Sequence, residues 1–281
     1  MNSTSFLTGG LVIASLYAAL VLVAFAFQNQ LLFLPSSDHV MTPSDMGLSF
    51  EDVRIPTSDG ERLHGWMVRA LNETRAQNAE DSDGTILFFH GNAGNISSRV
   101  PLARGFAELG YDVLLVDYRG YGKSTGRPTE EGLYDDARAA WQYLTADRSV
   151  PENDIVIYGR SLGGGPAAWL ATQVEARALV LESTFTSVPD IAAHHYPFLP
   201  VRWLSRIRFD TESRVGRVEM PVHIIHGRND EVVPFEHGEA LHASARSPKS
   251  FTATGDSHNQ TSMETMQARA KALRASSQQA E

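Results

Sequence analysis

The chain has 281 residues, of which 42% are hydrophobic, and a formal net charge of −9 at pH 7. The hydrophobic residues are numerous enough for a sizeable core in one large domain or two small ones. The acidic balance argues against a nucleic-acid partner, since no basic face is available to neutralise phosphates. The absence of cysteine excludes disulfides and thiol chemistry, and the ten histidines show no metal-ligand spacing. We therefore expect no metal or other cofactor.

Residues 6–27 contain no charged side chain and are numerous enough to cross the hydrocarbon core of a membrane as a helix. A cleaved signal peptide is the alternative, with Ala24-Phe25-Ala26 as its cleavage site. Residues 1–5 carry no basic side chain, and the apolar run is longer than the core of a typical signal peptide. Both features favour a retained single-pass anchor. The first basic residue is Arg54, so the positive-inside rule gives no orientation.

Residues 28–273 are predicted to form one α/β domain. Strands at 48–56 and 62–70 flank an Asp-Gly turn and predict an antiparallel hairpin, followed by an exposed polar loop at 71–84. Apolar strands and amphipathic helices then alternate, which indicates a mostly parallel sheet with helices on both faces. The predicted strands are 85–89, 112–116, a run from 154 to the G-R-S-L-G motif, 178–181, 222–225 and 250–254; the predicted helices are 97–109, 129–146, one after that motif, 235–245 and 260–273.

The segment 183–219 interrupts this alternation. It is rich in proline, arginine and aromatic residues, including Tyr196, Phe198 and Trp203. We expect a small lid over the functional site, whose aromatic residues line an apolar substrate pocket or form the core of the lid itself. The polar residues 274–281 are predicted to be a flexible tail.

Ser161 lies in the motif Gly159-Arg160-Ser161-Leu162-Gly163, which follows a short β-branched run and precedes a predicted helix. A serine on a strained strand-to-helix turn needs neighbours without bulk, so that the backbone can turn tightly and a substrate can approach. The five residues alone are only moderate evidence for a nucleophile. The strand before them and the helix after them make Ser161 the candidate nucleophile.

Asp230 and His258 also follow predicted strands. In open parallel sheets, functional residues gather at the carboxyl ends of the strands. Asp230 follows the strand 222–225 and could hold an imidazole in the required tautomer, although a loop aspartate taken alone would favour a cap of the helix after Pro234. His258 lies in the loop after the last strand. The order Ser161, Asp230, His258, with each residue at a strand end, is the order of a hydrolase triad.

An oxyanion site needs two backbone N–H groups that point at the developing negative charge. One is predicted to come from Leu162, the residue after the candidate nucleophile. The other is predicted to come from Asn92 in the loop His90-Gly91-Asn92-Ala93-Gly94-Asn95, with Ala93 as the alternative. A glycine-rich loop could instead bind a phosphate, but the dinucleotide pattern G-x-G-x-x-G is absent here.

Five motifs carry a family resemblance: H-G-N-A-G-N at 90–95, D-Y-R-G-Y-G-K-S at 117–124, G-R-S-L-G-G at 159–164, H-G-R-N-D-E-V-V-P at 226–234 and S-H-N at 257–259. Together they resemble the α/β-hydrolase superfamily, and more narrowly its membrane-anchored, serine-aminopeptidase-like branch, which includes depalmitoylases. The resemblance covers residues 28–273 and implies Ser161 as nucleophile, His258 as base and Asp230 as acid. The approach Gly255-Asp256-Ser257 to the histidine departs from the shorter or more glycine-rich approach of many relatives.

The sequence therefore predicts a membrane-anchored serine hydrolase that cleaves carboxylic esters or thioesters, with a small-molecule, acylated or lipid-derived substrate. One alternative is a peptidase that releases N-terminal residues. A second is a binding protein on an inactive hydrolase fold, against which the presence of all three triad residues argues. The substrate, the side of the membrane and the oligomeric state are left open.

Overall fold

The structure is a computed structural model that describes residues 3–71, 82–246 and 248–278. The predicted loop at 71–84 therefore lies largely outside the described residues, as do the last residues of the predicted tail. The strands are β1 (Leu34–Pro35), β2 (Phe50–Pro56), β3 (Arg62–Val68), β4 (Thr85–Phe89), β5 (Ala93–Gly94), β6 (Asp112–Val116), β7 (Ile155–Arg160), β8 (Ala178–Glu182), β9 (Val222–Gly227) and β10 (Lys249–Thr254).

The α-helices are α1 (Ser3–Ala26), α2 (Gln28–Leu32), α3 (Val100–Glu108), α4 (Glu130–Gln142), α5 (Gly164–Ala171), α6 (Val188–His195), α7 (Val201–Leu204), α8 (Thr211–Val215), α9 (Phe235–Ser244) and α10 (Met263–Gln278). Short 3₁₀ turns precede α3 and α5, and a π-helical turn follows α4.

The described strands β2–β4 and β6–β10 form one eight-stranded sheet in the order β10-β9-β8-β7-β4-β6-β3-β2. The pairs β2–β3 and β3–β6 are antiparallel, and the remaining pairs are parallel. This confirms the mostly parallel sheet with an N-terminal antiparallel hairpin. Because β4, β7, β8, β9 and β10 run in the same direction, the loops after them meet at one edge of the sheet.

Two apolar layers cover the sheet, one on each face. Side chains of α3 and α10 pack on one face and include Phe106 and Leu273. Side chains of α4, α5, α8 and α9 pack on the other face and include Leu133 and Leu241. The central strands β4, β6, β7 and β8 are buried along their whole length, which explains why they read as continuous apolar runs rather than alternating ones.

Several predicted boundaries differ from the structure for local reasons. The helix predicted at 97–109 begins at Val100, because the Asn95 side chain accepts the Ser97 N–H (3.0 Å) and holds a 3₁₀ turn first. The helix predicted at 129–146 is α-helical only to Gln142 and continues as a π-helical turn. Its predicted start is confirmed, since Thr129 Oγ1 accepts the Gly132 N–H at 3.0 Å.

The last helix starts and ends later than the predicted 260–273. It starts at Met263 because the Asp256 carboxylate accepts the Ser262 N–H at 2.8 Å and holds the chain just before the helix. It continues to Gln278, into the segment predicted as a tail. Ser276 is buried there, and its hydroxyl donates to the Ala272 carbonyl at 2.8 Å. The polar composition of this segment therefore did not reveal that the helix continues and packs on the domain.

Residues 183–219, which we call the lid, contain α6, α7 and α8. Side chains of α4 bind the lid. The Glu130 oxygens accept the N–H groups of Arg208 (2.6 Å) and Phe209 (2.7 Å), and the Tyr134 hydroxyl accepts from Arg214 of α8. Phe209 is fully buried, and a Cβ on Gly165 would lie 2.5 Å from its ring. The lid base therefore packs directly on the helix that follows Ser161.

The N-terminal segment contains the apolar helix predicted at 6–27, which is α1, and two features that the sequence did not predict: the short helix α2 and the pairing of β1 with β5. Residues Thr8–Ala26 of α1 have a mean hydropathy of 2.3 and no buried side chain, as in a membrane span or a signal sequence. After α1, the chain turns through α2, and β1 pairs in parallel with β5. We call residues 32–39 the strap, because they bind the loop after β4. Phe33 inserts into the core at the start of the strap.

Replacing Glu130 by alanine is expected to loosen the lid base. The change removes a buried carboxylate that accepts two N–H groups, and hydrogen bonds to charged groups contribute about 1.5–3 kcal/mol each. We expect amide hydrogen exchange at residues 207–215 to become faster and the free energy of unfolding to fall by about 3 kcal/mol. The matched control is Glu131→Ala at the exposed neighbouring position. Equal exchange rates in the two variants would contradict the role given to Glu130.

Candidate active site

Ser161 lies on a tight turn between β7 and α5, as predicted. Its φ of +53° is in the left-handed region, which is uncommon for a residue with a side chain. The turn is possible because its neighbours lack bulk: a Cβ on Gly163 would lie 2.0 Å from the Phe89 carbonyl oxygen, and one on Gly159 would lie 2.6 Å from the Ala167 Cβ. The turn thus packs against the end of β4 and projects the Ser161 side chain from the sheet edge.

The three residues predicted from separate strand ends meet at this edge. His258 Nε2 lies 3.1 Å from Ser161 Oγ. On the other side of the ring, His258 Nδ1 lies 2.9 Å from Asp230 Oδ2 and 3.0 Å from Asp230 Oδ1. His258 and Asp230 are buried, whereas Ser161 is partly exposed. This arrangement can move a proton from a serine hydroxyl to an imidazole whose tautomer a carboxylate holds.

Asp230 is held by more than the imidazole. Its Oδ1 accepts the N–H groups of Val232 (3.0 Å) and Val233 (2.7 Å), so the carboxylate shapes the loop after β9. Burial by itself would raise the pKa of Asp230, but the hydrogen bonds from His258 and the Val233 N–H outweigh it and lower the pKa below the ordinary value. The carboxylate is therefore ionised at neutral pH, as an imidazole partner requires.

The loop after β4 lies directly against Ser161. A Cβ on Gly91 would lie 3.3 Å from the Ser161 Cβ, so this glycine allows the close approach. His90 is fully buried before it, and burial lowers the His90 pKa to about 4, so its ring is neutral. The structure thus brings Gly91, which precedes Asn92, against Ser161, which precedes Leu162. The roles of Asn92 and Leu162 as N–H donors to an oxyanion stay a prediction.

The strap holds the Asn92 side chain, a connection that the sequence did not reveal. Asn92 Oδ1 accepts the Leu34 N–H (3.2 Å) and the Tyr121 hydroxyl (3.1 Å), and its amide donates to the Leu32 carbonyl. The Ser36 N–H donates to the Gly94 carbonyl at 3.0 Å. The position of the loop beside Ser161 therefore depends on residues that follow α1 and α2.

A buried polar cluster supports the other side of the same loop. Asp117 Oδ1 accepts the Ile96 N–H at 2.8 Å, and its Oδ2 lies 3.2 Å from His39 Nε2 and 3.4 Å from His64 Nδ1. The ligand atoms of these two histidines and Asp117 lie within 4.8 Å of one another, so they could hold a metal ion. As it stands, the cluster is a set of hydrogen bonds, in which His64 Nε2 also lies 2.9 Å from Asp52. Sequence spacing did not reveal it.

A second buried network, also missed from the sequence, fixes the His258 backbone. Arg160 donates to the His258 carbonyl and, through Nε, to Glu182 Oε1 at 3.0 Å. Arg269 of α10 donates to both oxygens of Glu182, at 2.7 and 2.8 Å. The sequence contained one signal of this network: Arg160 and Glu182 are charged residues that each follow an apolar strand, and a buried charge needs a partner. That Arg160 and Glu182 face each other follows only from the pairing of β7 with β8.

Replacing Glu182 by glutamine is expected to destabilise the protein in a pH-dependent way. Burial alone would raise the Glu182 pKa, but the charges of Arg269 and Arg160 outweigh it and lower the pKa from 4.5 to about 2. The ionised carboxylate therefore stabilises the fold above about pH 4.5, and this contribution is lost as the pH falls towards 2. Removing one charge from a buried pair costs about 3–5 kcal/mol, which we expect as the loss in unfolding free energy at neutral pH.

Denaturant titrations in detergent, from neutral pH down to about pH 3, measure this difference. It should shrink as the pH falls below 4.5. The control is Glu152→Gln at an exposed position, for which we expect a change within about 0.5 kcal/mol. A loss of stability that is independent of pH would refute the assignment of an ionised Glu182.

Known proteins resemble this chain in sequence and in fold. The family model of the α/β-hydrolase fold matches residues 84–218. The α/β-hydrolase domain-containing protein WAV2 of Arabidopsis thaliana is 34% identical over 264 residues, which cover 86% of this chain and 82% of WAV2. Protein bem46 of Schizosaccharomyces pombe is 33% identical over 235 residues, which cover 79% of this chain and 76% of bem46.

Among solved structures, an esterase from Pyrococcus furiosus superposes with a TM-score of 0.70 at 21% identity, covering 87% of this chain and 97% of the esterase. At this identity the likeness is one of fold. The sequence relatives extend over most of both chains, and the sheet carries Ser161, Asp230 and His258 on its strand ends in the expected order. The chain therefore belongs to the α/β-hydrolase superfamily.

Proposed function

We propose that this protein is a membrane-anchored serine hydrolase that cleaves carboxylic ester or thioester bonds of acyl or lipid-type substrates. The observation that carries the proposal is the hydrogen-bonded line from Ser161 Oγ through His258 to Asp230, with distances of 3.1 and 2.9 Å. The esterase with the same fold supports a hydrolase in general. The resemblance to depalmitoylases and the apolar helix α1 support an acyl substrate near a membrane.

The reaction begins when His258 Nε2 takes the proton of Ser161 and the serine oxygen attacks the substrate carbonyl. The N–H groups of Leu162 and Asn92 stabilise the negative charge on the carbonyl oxygen. His258 then protonates the leaving alcohol or thiol, which leaves an acyl-enzyme. A water molecule, deprotonated by the same imidazole, then attacks the acyl carbonyl. The bond to Ser161 Oγ breaks, the serine oxygen takes the proton back from His258, and the acid leaves. Asp230, ionised at neutral pH, stabilises the imidazolium in both halves of the reaction.

Replacing Ser161 by alanine is expected to abolish covalent labelling by a fluorophosphonate probe and to lower kcat for an ester by at least about 10⁴-fold. Asp230→Asn is expected to lower kcat by about 10⁴-fold, because the imidazole then adopts the wrong tautomer. The matched control is Ser213→Ala at an exposed position in α8, which should label like the wild type. Absence of labelling in the wild type would favour the inactive binding protein instead.

A substrate panel separates the ester hydrolase from the peptidase. We expect acyl esters and thioesters to be hydrolysed with a kcat/KM at least about 100-fold above that of aminoacyl amides, a difference of about 3 kcal/mol in transition-state stabilisation. Preference for the aminoacyl amides, lost in Ser161→Ala, would replace the esterase proposal with the peptidase.

Replacing Asn92 by alanine is expected to lower kcat, although the variant keeps the backbone N–H of residue 92. The side chain no longer holds the loop to Leu32 and Leu34, so the N–H loses its fixed position. We expect kcat to fall by about 10–100-fold with little change in KM, somewhat less than the loss of a whole oxyanion donor. The control Tyr121→Phe removes one of the three bonds and should cost less than about fivefold. If kcat of Asn92→Ala is unchanged at a temperature well below the melting temperature of the variant, the strap has no role in catalysis.

A further inference from the structure

The outermost part of the lid, residues 196–206, exposes large apolar side chains. We call it the lid tip. Tyr196, Phe198 and Trp203 are 52%, 60% and 90% exposed. The lid core is formed by other residues, such as Phe209, which is fully buried. The aromatic residues of the tip therefore do not serve the packing of the lid, and clustered exposed aromatics mark an interaction surface.

The lid tip is bonded to the N-terminal helix. The Tyr17 hydroxyl donates to the Phe198 carbonyl at 2.7 Å. At the end of α1, the Arg206 guanidinium donates to the Phe25 carbonyl (3.2 Å) and lies 4.7 Å from the Phe25 ring centroid. Gln28 bonds to the backbone of the tip twice, at Leu204 and at Arg206. These contacts set the level of the tip along α1.

Helix geometry gives the position of the lid tip along the axis of α1. Tyr17 precedes Ala26 by nine residues, which is about 14 Å along an α-helix. The Phe198 loop therefore lies beside the apolar stretch Thr8–Ala26, and Arg206 lies at its end. An apolar tip beside the middle of the span and a cation beside its end match the order of hydrocarbon and headgroups in a leaflet.

The backbone of the tip also suits an apolar medium, in which polar groups need internal partners. Most of its N–H groups donate to carbonyls between residues 192 and 201; these are the N–H groups of Tyr196, Leu199, Val201, Trp203, Leu204 and Ser205. Pro197 and Pro200 have no N–H. The Phe198 carbonyl is satisfied by Tyr17.

The charge of this region is mostly positive. No acidic residue lies between Asp190 and Asp210, whereas Arg202, Arg206 and Arg208 do; of these, Arg202 is ion-paired with Asp190 at 2.9 Å. Arginine side chains can reach along apolar surface to the headgroups while their stems remain in lipid. The surface therefore fits a bilayer with anionic lipids on the side of the hydrolase domain.

We infer that the lid tip inserts into the same leaflet as the C-terminal half of α1, so that lipid covers its aromatic side chains. The inference rests on the membrane anchor of the proposed function. The start of the lid touches the turn of the proposed nucleophile, where Thr184 Oγ1 donates to the Ser161 carbonyl at 2.6 Å. A tip in lipid thus places the site beside the bilayer, and the substrate class it selects is an acyl ester or thioester whose chain lies in the membrane.

Site-specific labelling tests the position of the tip, since the chain has no native cysteine. Phe198→Cys, in the full chain reconstituted into phosphatidylcholine–phosphatidylglycerol vesicles, is labelled with an environment-sensitive fluorophore. The matched control is Glu219→Cys, whose native side chain is 90% exposed and precedes β9 at the opposite edge of the sheet. We expect brominated lipids to quench the label at 198 and aqueous iodide to quench the label at 219.

The outcomes distinguish the inference from the proposal beneath it. If the protein floats with the vesicles but iodide quenches both labels alike, the tip lies in water and the inference alone is overturned. If the protein does not float with vesicles, the anchor is wrong and the inference falls with it. Fluorophosphonate labelling of Ser161 tests the hydrolase chemistry separately from both.

Activity provides a second measurement. The double variant Phe198→Ser, Trp203→Ser should hydrolyse a long-chain ester embedded in vesicles about tenfold more slowly than the wild type, because its tip is less apolar. Hydrolysis of a water-soluble acetyl ester should change by less than about twofold. Equal losses on both substrates, in a variant whose melting temperature matches that of the wild type, would overturn the lipid-facing role.

Discussion

The backbone of Ser161 is held at a φ of +53°, and the surrounding structure is arranged so that this conformation is possible. A residue in this region costs about 1 kcal/mol or more, and it persists only where the surroundings over-determine it. Here β7 is buried along its length, and the turn after it is pressed against the end of β4. The same contact brings Gly91 beside Ser161. One strained turn thereby defines both the exposed hydroxyl and the loop that faces it.

Two buried carboxylates, Glu182 and Asp117, bind the segments that surround this turn. Glu182 remains ionised in the interior because two arginines bind it, and one of these, Arg160, also binds the His258 carbonyl. Asp117 plays a similar part beneath the loop after β4, where its pKa is lowered to about 2: burial alone would raise that pKa, but the hydrogen bonds from His39 and His64 outweigh it. In both networks a carboxylate that burial would neutralise is kept charged by its donors. The imidazole and the loop are thus positioned by electrostatics as well as by packing.

The N-terminal segment, which contains the apolar helix α1, is bonded to the candidate site. Its strap bonds to Asn92 and pairs β1 with β5, while α1 and α2 bond to the lid tip. The loop beside Ser161 and the lid are therefore both attached to one stretch of chain that follows an apolar helix. These hydrogen bonds connect the apolar helix and the residues after it both to the loop beside Ser161 and to the lid.

The sequence by itself determined the elements and the order of the candidate site. Apolar runs, glycine positions and the helix cap at Thr129 predicted the strands and helices, because these signals are local. Ser161, Asp230 and His258 could be assigned because each follows a strand, and parallel strands end at one edge. Only the tertiary structure decided which strands are neighbours, and with them the pairing of Arg160 with Glu182. It also decided the cluster of His39 and His64 with Asp117 and the docking of the strap on Asn92. These contacts join segments far apart in the chain, and no local periodicity or spacing encodes them.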